Sequence, residues 1–489
     1  MNFDQTYKKE LSFQTDRRRA TVELIKYISD LWYEHSIELV LFRNQLLDRN
    51  VSEILNLHEY AGAFVGKSIS IFESVDIAKA ILQLNLPAAK IDIGKLTHEF
   101  QLSSHTEQSC VDFVSQKLKG AKKQKSIVPQ DVVLYGFGRI GRLVARELMT
   151  RTGKGNMMRL RAIVTRGKMD QNTLEKRASL LQYDSVHGDF PGTVAVDLKN
   201  NALVINGTTV HMISANGPEE IDYTQYGIKN ALVIDNTGAF RDHEALSRHL
   251  TSNGAARVLL TAPGKGIPNI VYGVNHLEHS PKNTPIVSAA SCTTNAITPV
   301  LKVVDDHLGV INGHLETIHA YTNDQNLVDN MHSKYRRGRA AALNMVITET
   351  GAGQAVSRAL PHFDGKLTSN AIRVPVPNGS LAILNLNLEK ETSPEALNEL
   401  IKKNALEGPL VEQIKYSLNN ELVSSDIIGS SAPSIFDSHA TIVRPDGKNV
   451  ILYVWYDNEY GYSCQVYRVL EKMAGIKYLT YPPTDTGGL

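Results

Sequence analysis

The stretch that decides the expected fold is Gly136-Phe137-Gly138-Arg139-Ile140-Gly141. It follows the apolar run 132–135, which has the pattern of a buried strand, and it precedes a helical pattern over 142–150. The first glycine allows a tight turn, the second lets a pyrophosphate approach the backbone, and the third brings the helix close to the strand. Free N–H groups at the start of that helix would bind the phosphates. The stretch therefore predicts a dinucleotide-binding turn.

Short apolar runs and helical segments alternate on the C-terminal side of this turn. The runs 160–164, 231–234 and 258–260 predict a parallel sheet of the Rossmann type. After about residue 310 the runs are longer and alternate apolar with polar residues, which predicts an α+β domain. We expect an α/β protein with a mostly helical N-terminal extension (1–128), a dinucleotide-binding domain (129–290, with a C-terminal helix at about 461–476 packing back on it), a catalytic domain (291–460) and a tail (477–489).

The composition excludes several classes of protein. The 489 residues carry a net charge of +1 and are 42% hydrophobic and 21% charged, so nothing predicts binding to nucleic acid or to a membrane surface. No apolar run approaches the roughly 18–20 residues of a membrane-spanning helix, and the first residues lack the apolar core of a secretory signal. Three cysteines, at 110, 292 and 464, are too sparse for a disulfide framework. We expect a cytoplasmic protein with reduced thiols.

The N-terminal extension, 1–128, differs in texture from the rest of the chain. It carries amphipathic helical patterns, for example over 20–47, and little strand-like alternation. Its histidines show no metal-ligand spacing, and we expect no metal site. A solvated linker is predicted where the segment ends in lysines and a proline, at Lys117, Lys119, Lys122, Lys123, Lys125 and Pro129. The segment could be a regulatory or partner-binding domain or an inert extension, and the sequence leaves both open.

The residues that end the second strand bear on the choice of cofactor. An NAD-selective site has an acid there, which hydrogen-bonds the ribose hydroxyls. This strand instead ends in Thr165 and Arg166, followed by Lys168, and the first acid is Asp170. A hydroxyl and two cations would attract a 2′-phosphate, which favours NADP over NAD or predicts the use of both. The alternative is that the basic side chains are solvated and NAD is still preferred.

A candidate nucleophile and a candidate base lie further along the chain. Cys292 precedes a helical pattern over 296–307, and free N–H groups at a helix N-terminus are expected to lower the pKa of its thiol. Backbone N–H groups of the same turn could hold an oxyanion. His319, in the next strand-like run, could serve as the base that a nucleophilic cysteine needs. Each residue alone is more often structural, so the prediction depends on their meeting in the fold.

Seven motifs, taken in order, resemble those of phosphorylating glyceraldehyde-3-phosphate dehydrogenases. They span roughly positions 130 to 476, the larger part of the chain, and the extension 1–128 has no counterpart in the common form of the family. The motifs are 135–142, 182–188, 291–295, 337–340, 350–352, 373–375 and 455–463. So many matches in one order are not expected by chance.

The resemblance implies a role for each matching residue. Cys292 would attack the aldehyde to give a thiohemiacetal, and His319 would take the proton. The positions that hold the substrate's own phosphate are Thr322 and Arg373, with Asp324 close by. The positions that hold the attacking inorganic phosphate are Ser291, Thr293, Arg339, Thr350 and Gly351. The cofactor positions outside the glycine turn and the end of the second strand are Thr237, Gly238, Asn323, Asn458 and Tyr462.

The resemblance also implies a reaction and an assembly. The reaction is the reversible oxidative phosphorylation of glyceraldehyde 3-phosphate to 1,3-bisphosphoglycerate, in glycolysis or gluconeogenesis, through a thioester on Cys292. The assembly is a homotetramer. The sequence departs from NAD-selective members at Thr165 and at Asn330-Met331, where those members have an acid and a Leu-Pro pair. These departures again favour NADP.

Two alternatives remain open. One is an erythrose-4-phosphate dehydrogenase, which shares the fold but releases its thioester to water; Thr350, Gly351 and Arg339 favour phosphorolysis instead. The other is a non-enzymatic regulatory protein on the same scaffold. The set of Cys292, His319 and Arg373 argues against it, because folding alone does not require these residues.

Overall fold

The structure is a computed structural model, and it describes residues 3–103, 109–120, 127–155 and 157–483. Its helices are α1 (Phe3–His35), α2 (Val51–Val65), α3 (Ile71–Gln83), α4 (Ile93–Leu102), α5 (Cys110–Lys117), α6 (Arg139–Thr150), α7 (Gln171–Gln182), α8 (His243–Ser247), α9 (Cys292–Leu308), α10 (Ala352–Ala359), α11 (Pro394–Leu406) and α12 (Tyr460–Ala474). None of the helices in these ranges combines the length and the apolar character that crossing a membrane requires.

The strands of the described ranges form three sheets. They are β1 (Ile37–Leu41), β2 (Asn44–Gln45), β3 (Ala89–Asp92), β4 (Gln130–Tyr135), β5 (Met158–Thr165), β6 (Val194–Asp197), β7 (Ala202–Ile205), β8 (Thr208–Ser214), β9 (Ala231–Asp235), β10 (Ala255–Leu260), β11 (Ile286–Ser288), β12 (Val310–Ala320), β13 (Val346–Thr348), β14 (Leu367–Val374), β15 (Ser380–Leu388), β16 (Ile414–Ser417), β17 (Ser434–Asp437), β18 (Ile442–Val443), β19 (Asn449–Tyr456) and β20 (Leu479–Tyr481). The chain divides into two compact units, residues 1–128 with 153–157 and 476–489, and residues 129–152 with 158–475.

The first unit contains α1 to α5 and a four-stranded sheet in the order β2-β1-β3-β20. The amphipathic pattern over 20–47 is helical only as far as His35, and Ser36, with φ of 56°, redirects the chain into β1. All five residues of β1 are buried, which suits a parallel strand covered on both faces. The predicted linker lysines Lys122, Lys123 and Lys125 lie outside the described residues.

The C-terminal segment that we expected to be a tail contains the edge strand of this small sheet. Leu479, Thr480 and Tyr481 pair in parallel with Ala89, Lys90 and Ile91 of β3. The strand has only three residues, which is too short a run for a periodicity argument. The N-terminal unit is therefore built from both ends of the chain.

The second unit begins with an eight-stranded sheet in the order β11-β10-β9-β4-β5-β8-β7-β6. The six strands from β11 to β8 are parallel, and β7 and β6 are added antiparallel. This is the doubly wound arrangement expected from the alternating apolar runs. Strand β4 lies between β5 and β9, and ligands of such sheets bind at the carboxyl ends of the strands where the strand order reverses.

A second sheet of this unit, in the order β13-β14-β12-β15-β19-β17-β16, carries the predicted catalytic segment. Burial alternates along β15 and β19, which agrees with their alternating sequence. Helix α9 packs on the sheet against β12, β15, β17 and β19. The start of α9 and the end of β12 consequently lie together, and these are the places of the candidate nucleophile and base.

Helix α12 follows β19 and packs on α6. The hydroxyl of Tyr460 donates to Glu147 Oε2 across this contact at 3.2 Å. Most residues of α12 are buried, among them the unbroken run 461–470, so this helix is a core element rather than a terminal appendage.

Candidate active site

The candidate nucleophile is the first residue of helix α9. Ser291 caps this helix, and its Oγ accepts a hydrogen bond from the Thr294 N–H at 3.0 Å. Behind it, the Asn295 side chain donates to the carbonyl groups of Ala289 and Ser291 at 2.8 and 2.9 Å. These bonds fix the turn that presents the half-buried thiol of Cys292.

The candidate base reaches the thiol from the end of β12. The distance from Cys292 Sγ to His319 Nε2 is 3.5 Å. The other ring nitrogen, Nδ1, lies 2.7 Å from the carbonyl oxygen of Ala320. That carbonyl favours the tautomer with the proton on Nδ1, which leaves the lone pair of Nε2 facing the sulfur. The two residues therefore meet in the geometry that general-base activation of a thiol requires.

The pKa of the thiol differs from our expectation. We expected the helix N-terminus to lower it, but burial raises the pKa of Cys292, although Arg373 and N–H groups of the turn act in the opposite direction. Burial, reinforced by the charge of Arg373, lowers the pKa of His319 to about 3. The site thus favours a neutral thiol beside a neutral imidazole. Proton transfer to His319 would accompany attack by the sulfur rather than precede it.

A tyrosine that the sequence did not single out for a role lies under the pair. The buried hydroxyl of Tyr456 lies 3.0 Å from Thr293 Oγ1 and 2.7 Å from Thr317 Oγ1, and its ring meets the ring of His319 edge to face. Tyr456 thereby ties the first turn of α9 to β12. Thr293, expected at the inorganic phosphate, uses its hydroxyl in this contact.

Two arginines beside the histidine form a cationic group with Thr322 and Asp324, here called the arginine cluster (Thr322, Asp324, Arg337 and Arg373). Arg373 Nη1 lies 3.0 Å from His319 Nδ1 and 3.3 Å from Thr322 Oγ1. Arg337 donates to Asp324, and Asp324 also accepts from the Thr322 hydroxyl. The cluster contains two guanidinium groups and one carboxylate, which pairs with Arg337, so it carries a net positive charge suited to a phosphate.

The arginine expected at the attacking phosphate, Arg339, lies outside the arginine cluster. Arg339 pairs with Asp329 at 2.9 Å, and both side chains are more than half exposed. Its neighbour Arg337 is 7% exposed, reaches Thr348 Oγ1 at 3.2 Å and lies close enough to Arg373 to act on its charge. From the sequence we named only Arg339 of the motif 337–340, whereas the structure brings Arg337 into the cluster.

The other two expected phosphate residues begin helix α10. Gly351 is the N-cap of this helix and has no side chain to bond its free N–H groups, while Thr350 Oγ1 accepts from the Ala352 N–H at 3.3 Å. Glycine at this position leaves the helix N-terminus open to an anion.

The glycine turn has the geometry that a dinucleotide requires. Gly136 adopts φ of 99°, and a Cβ on Gly141 would lie 2.5 Å from the carbonyl oxygen of Gly136, so the helix can approach the strand only with glycine there. A Cβ on Gly138 would meet open space. Gly138 is also the N-cap of α6, without a side-chain cap. The chain itself leaves these N–H groups available, which fits a pyrophosphate. In the same turn Phe137 is buried and Ile140 half-buried.

Arg139 spans the gap between this turn and the loop before α12. Its guanidinium donates to both carboxylate oxygens of Glu459, from Nε at 2.6 Å and from Nη2 at 2.5 Å, and to Asp184 at 3.1 and 3.3 Å. His187 adds a contact of 2.9 Å to the same Glu459 carboxylate. The side chain of Arg139 is thus committed to two carboxylates and can offer a cofactor only its backbone.

Glu459 follows Asn458, the residue expected to orient a nicotinamide amide. Asn458 is buried, and its Oδ1 accepts a hydrogen bond from Ser380 Oγ at 2.8 Å. Asp457 accepts from the N–H groups of Glu459 and Tyr460 at 2.9 and 2.8 Å. These bonds and the Arg139–Glu459 pair hold the 457–460 loop at a fixed distance from the glycine turn.

The remaining cofactor candidates lie at or after the ends of β5, β9 and β12 and in the first turn of α12. The Thr165 hydroxyl is buried without a hydrogen-bond partner, and Arg166 and Lys168 are exposed beside it. Asp235 accepts from both the N–H and the hydroxyl of Thr237, and Gly238 follows with φ of 68°. Two further candidates are Tyr462, whose hydroxyl donates to the Ala290 carbonyl at 2.9 Å, and Asn323, which is exposed. Among the described residues no group of three or more metal-ligating side chains could hold an ion.

Comparisons with known proteins assign the two sheets of this unit to one family. The profile "Glyceraldehyde 3-phosphate dehydrogenase, NAD binding domain" matches residues 130–243, and the profile of the C-terminal domain of the same enzyme matches residues 291–458. A glyceraldehyde-3-phosphate dehydrogenase of Kitasatospora aureofaciens is 39% identical over 70% of this chain and 98% of its own length. One of Geobacillus stearothermophilus is 40% identical over 68% of this chain and 95% of its own length.

One relative also matches the N-terminal unit. A glyceraldehyde-3-phosphate dehydrogenase-like protein of Pseudomonas aeruginosa is 50% identical over 465 residues, which are 94% of this chain and all of that protein. Most of the extension before residue 128 is consequently shared with this relative.

The two arginines of the 337–339 motif are distinguishable by anion binding. Arg337→Met should weaken the binding of inorganic phosphate about tenfold, because it removes a charge worth about 1.4 kcal/mol from the arginine cluster. Arg339→Met should change it less than twofold, since that side chain is exposed and already paired. Titration calorimetry with phosphate measures both, with thermal unfolding as the check on folding. A larger loss in Arg339→Met would assign the site to that residue instead.

Proposed function

Because the chain belongs to the glyceraldehyde-3-phosphate dehydrogenase family, we propose that it oxidises glyceraldehyde 3-phosphate to 1,3-bisphosphoglycerate with NADP or NAD and inorganic phosphate. The observation that carries the proposal is the 3.5 Å approach of Cys292 Sγ to His319 Nε2 beside the Arg373 guanidinium. A nucleophile, a base and an anion-binding cation in one site suit an aldehyde that bears a phosphate.

The chain's own residues can perform the bond changes of this reaction. Cys292 Sγ adds to the aldehyde carbon while its proton passes to His319 Nε2, so the C=O double bond opens and the product is the oxyanion of a thiohemiacetal. A bound nicotinamide dinucleotide would supply the hydride acceptor, held by the glycine turn and Asn458. Oxidation leaves the acyl group on Cys292 as a thioester. An oxygen of inorganic phosphate then attacks the acyl carbon, the C–S bond breaks, and the sulfur recovers its proton from His319.

Two anion sites would serve the two phosphates. The arginine cluster provides the cations: Arg373 contacts His319, and Arg337 lies close to Arg373. Ser291 and the start of α10, at Thr350 and Gly351, provide hydroxyl and N–H donors. The family resemblance assigns Thr322 and Arg373, with Asp324 close by, to the substrate's own phosphate, and Ser291, Thr293, Arg339, Thr350 and Gly351 to the attacking ion. We propose that Arg337, which is buried beside Arg373, takes the place of the exposed Arg339.

A steady-state assay with glyceraldehyde 3-phosphate tests the reaction. We expect turnover that requires inorganic phosphate, and we expect Cys292→Ser to lower kcat at least a thousandfold, because the acyl carrier is lost. Cys110→Ser, a half-buried thiol of the N-terminal unit, is the matched control and should leave kcat unchanged. Turnover that does not depend on phosphate would indicate hydrolysis of the thioester and would overturn the proposal.

We further propose that the cofactor is NADP in preference to NAD. The support lies at the end of β5, where an unpaired buried hydroxyl and two exposed cations take the place of an acid. Such a group would hydrogen-bond and neutralise a 2′-phosphate, whereas a carboxylate would repel it.

The ratio of kcat/KM for the two cofactors measures this preference. We expect NADP to exceed NAD, and we expect Arg166→Ala to lower the NADP/NAD ratio about tenfold, equivalent to about 1.4 kcal/mol of selective binding. Lys265→Ala, an exposed cation in another loop, is the matched control. An NAD preference of tenfold or more in the unaltered chain would contradict the proposal.

The Arg139–Glu459 pair should act on the nicotinamide end of the cofactor. Glu459→Gln keeps the shape but removes the charge that holds Arg139, which loosens the loop carrying Asn458. We expect the Kd of the dinucleotide to rise about fivefold, which is a loss of about 1 kcal/mol of binding free energy. The Kd of ADP-ribose, which lacks the nicotinamide, should change less than twofold. Titration calorimetry gives both values without turnover.

A matched control for this variant lies at the amino end of β4, the end opposite the glycine turn. Asp131→Asn removes an ion pair of similar chemistry, between Asp131 and Arg161 of β5 at 3.3 Å. It should change neither Kd. If Glu459→Gln weakened ADP-ribose as much as the dinucleotide, the ion pair would support the phosphate turn and not Asn458.

We also propose that the chain forms a homotetramer, as the family resemblance implies. The support is an apolar surface in the segment after β12, which a monomer would leave in water. Its members are Leu327, Val328, Met331, Tyr335, Leu343 and Met345, each more than two-thirds exposed. Sedimentation velocity of the purified chain measures the assembly.

A further inference from the structure

Helix α1 is much longer than the part of it that packs. It runs for 33 residues, but burial begins only at Ala20, after which Thr21, Leu24, Ile28 and Leu31 face the core of the N-terminal unit. Residues 4–16 are all exposed. At about 1.5 Å per residue this segment extends for about 20 Å. A helical segment of this length is marginal in water unless something covers it.

The exposed segment carries an apolar stripe distinct from the packed face. Tyr7, Leu11 and Val22 are 63%, 53% and 58% exposed, and at 100° per residue they lie on one side of the helix. Phe13 belongs to the packed side, where its ring lies 6.3 Å from the ring of Phe72. The stripe is therefore not a continuation of the core.

Charges of opposite sign flank the N-terminal part of the stripe, which is centred on Leu11. Asp4 and Arg18 lie on the same side of the helix as Leu11, each seven positions from it. Asp4 pairs with Lys8 at 2.7 Å, but both side chains are about two-thirds exposed or more, so this pair is weak. The order is acid, apolar centre, base. When two copies of such a segment lie antiparallel, the acid of each copy faces the base of the other.

We propose that this face, defined by Asp4, Tyr7, Leu11, Thr15 and Arg18, binds the same face of a second copy of the chain in an antiparallel helix pair. A two-fold axis through Leu11 would place Leu11 against Leu11, Tyr7 against Thr15, and Asp4 against Arg18 of the second copy, twice by symmetry. A parallel pair would instead place like charges together. Antiparallel pairing is therefore the arrangement that the charges favour.

Site-directed disulfide cross-linking of the full-length chain tests the contact. Leu11→Cys puts a thiol on the two-fold axis, and mild oxidation should convert more than half of the chains into covalent dimers. Lys26→Cys, on a part of α1 outside the overlap, is the matched control and should give at least fivefold less. The unaltered chain reports any cross-linking through its native thiols. Equal yields at positions 11 and 26 would overturn the proposal.

Charge reversal distinguishes this pairing from chance collision. In the Leu11→Cys chain, Asp4→Arg or Arg18→Glu alone should lower the cross-linked yield at least threefold, because each sets two like pairs facing one another. The two together should restore it. Both side chains are exposed, and far-UV circular dichroism reports whether the helix persists. A cross-linked yield that is the same in the two single variants and the double variant as in the Leu11→Cys chain would exclude the antiparallel register.

Discussion

The site depends on one constraint, the burial of a thiol and an imidazole against each other with a guanidinium at the far side of the ring. Arg373 Nη1 lies 3.0 Å from His319 Nδ1 and also donates to the Ala320 carbonyl at 2.9 Å. A guanidinium can only donate, and Nδ1 is already placed to donate to that same carbonyl. The contact between Arg373 and the ring is consequently electrostatic. The charge of Arg373 disfavours the protonated form of His319, so the ring is neutral and the lone pair of Nε2 faces the thiol.

This arrangement couples substrate binding to the strength of the base. Burial and Arg373, with a further contribution from Arg337, hold the pKa of His319 far below its ordinary value. A phosphate bound to these arginines would offset their charge at the ring and raise that pKa. The thiol would respond in the same direction, because Arg373 favours its charged form and the pKa of Cys292 would rise as that charge is offset. The proposed substrate would therefore make His319 a better acceptor at the moment when the aldehyde lies beside a thiol that is still protonated.

Some parts of this structure follow from local sequence and others do not. The fold class was predictable, because β4 and the glycine turn carry their own steric requirements: Gly136 needs a positive φ and Gly141 leaves no room for a side chain. The inward position of Arg337 was not: from the sequence we named Arg339, both arginines flank Gly338, and only the fold of the loop buries one of them. The pKa of Cys292 was misjudged for a related reason. A helix N-terminus is visible in sequence, whereas the burial that outweighs it is set by β12 and β19.

The N-terminal unit shows the same limit on a larger scale. Its helices were predictable, but its sheet depends on a strand from the other end of the sequence, where Leu479–Tyr481 join β3. Each part would lose a neighbour without the other: removal of the segment 1–128 would leave β20 without a sheet, and removal of the last strand would expose the backbone groups of β3. An unpaired edge of this kind invites non-native strand pairing. Truncation of either segment would therefore disturb the sheet of the N-terminal unit, so the contribution of this unit has to be measured by substitutions within the intact chain.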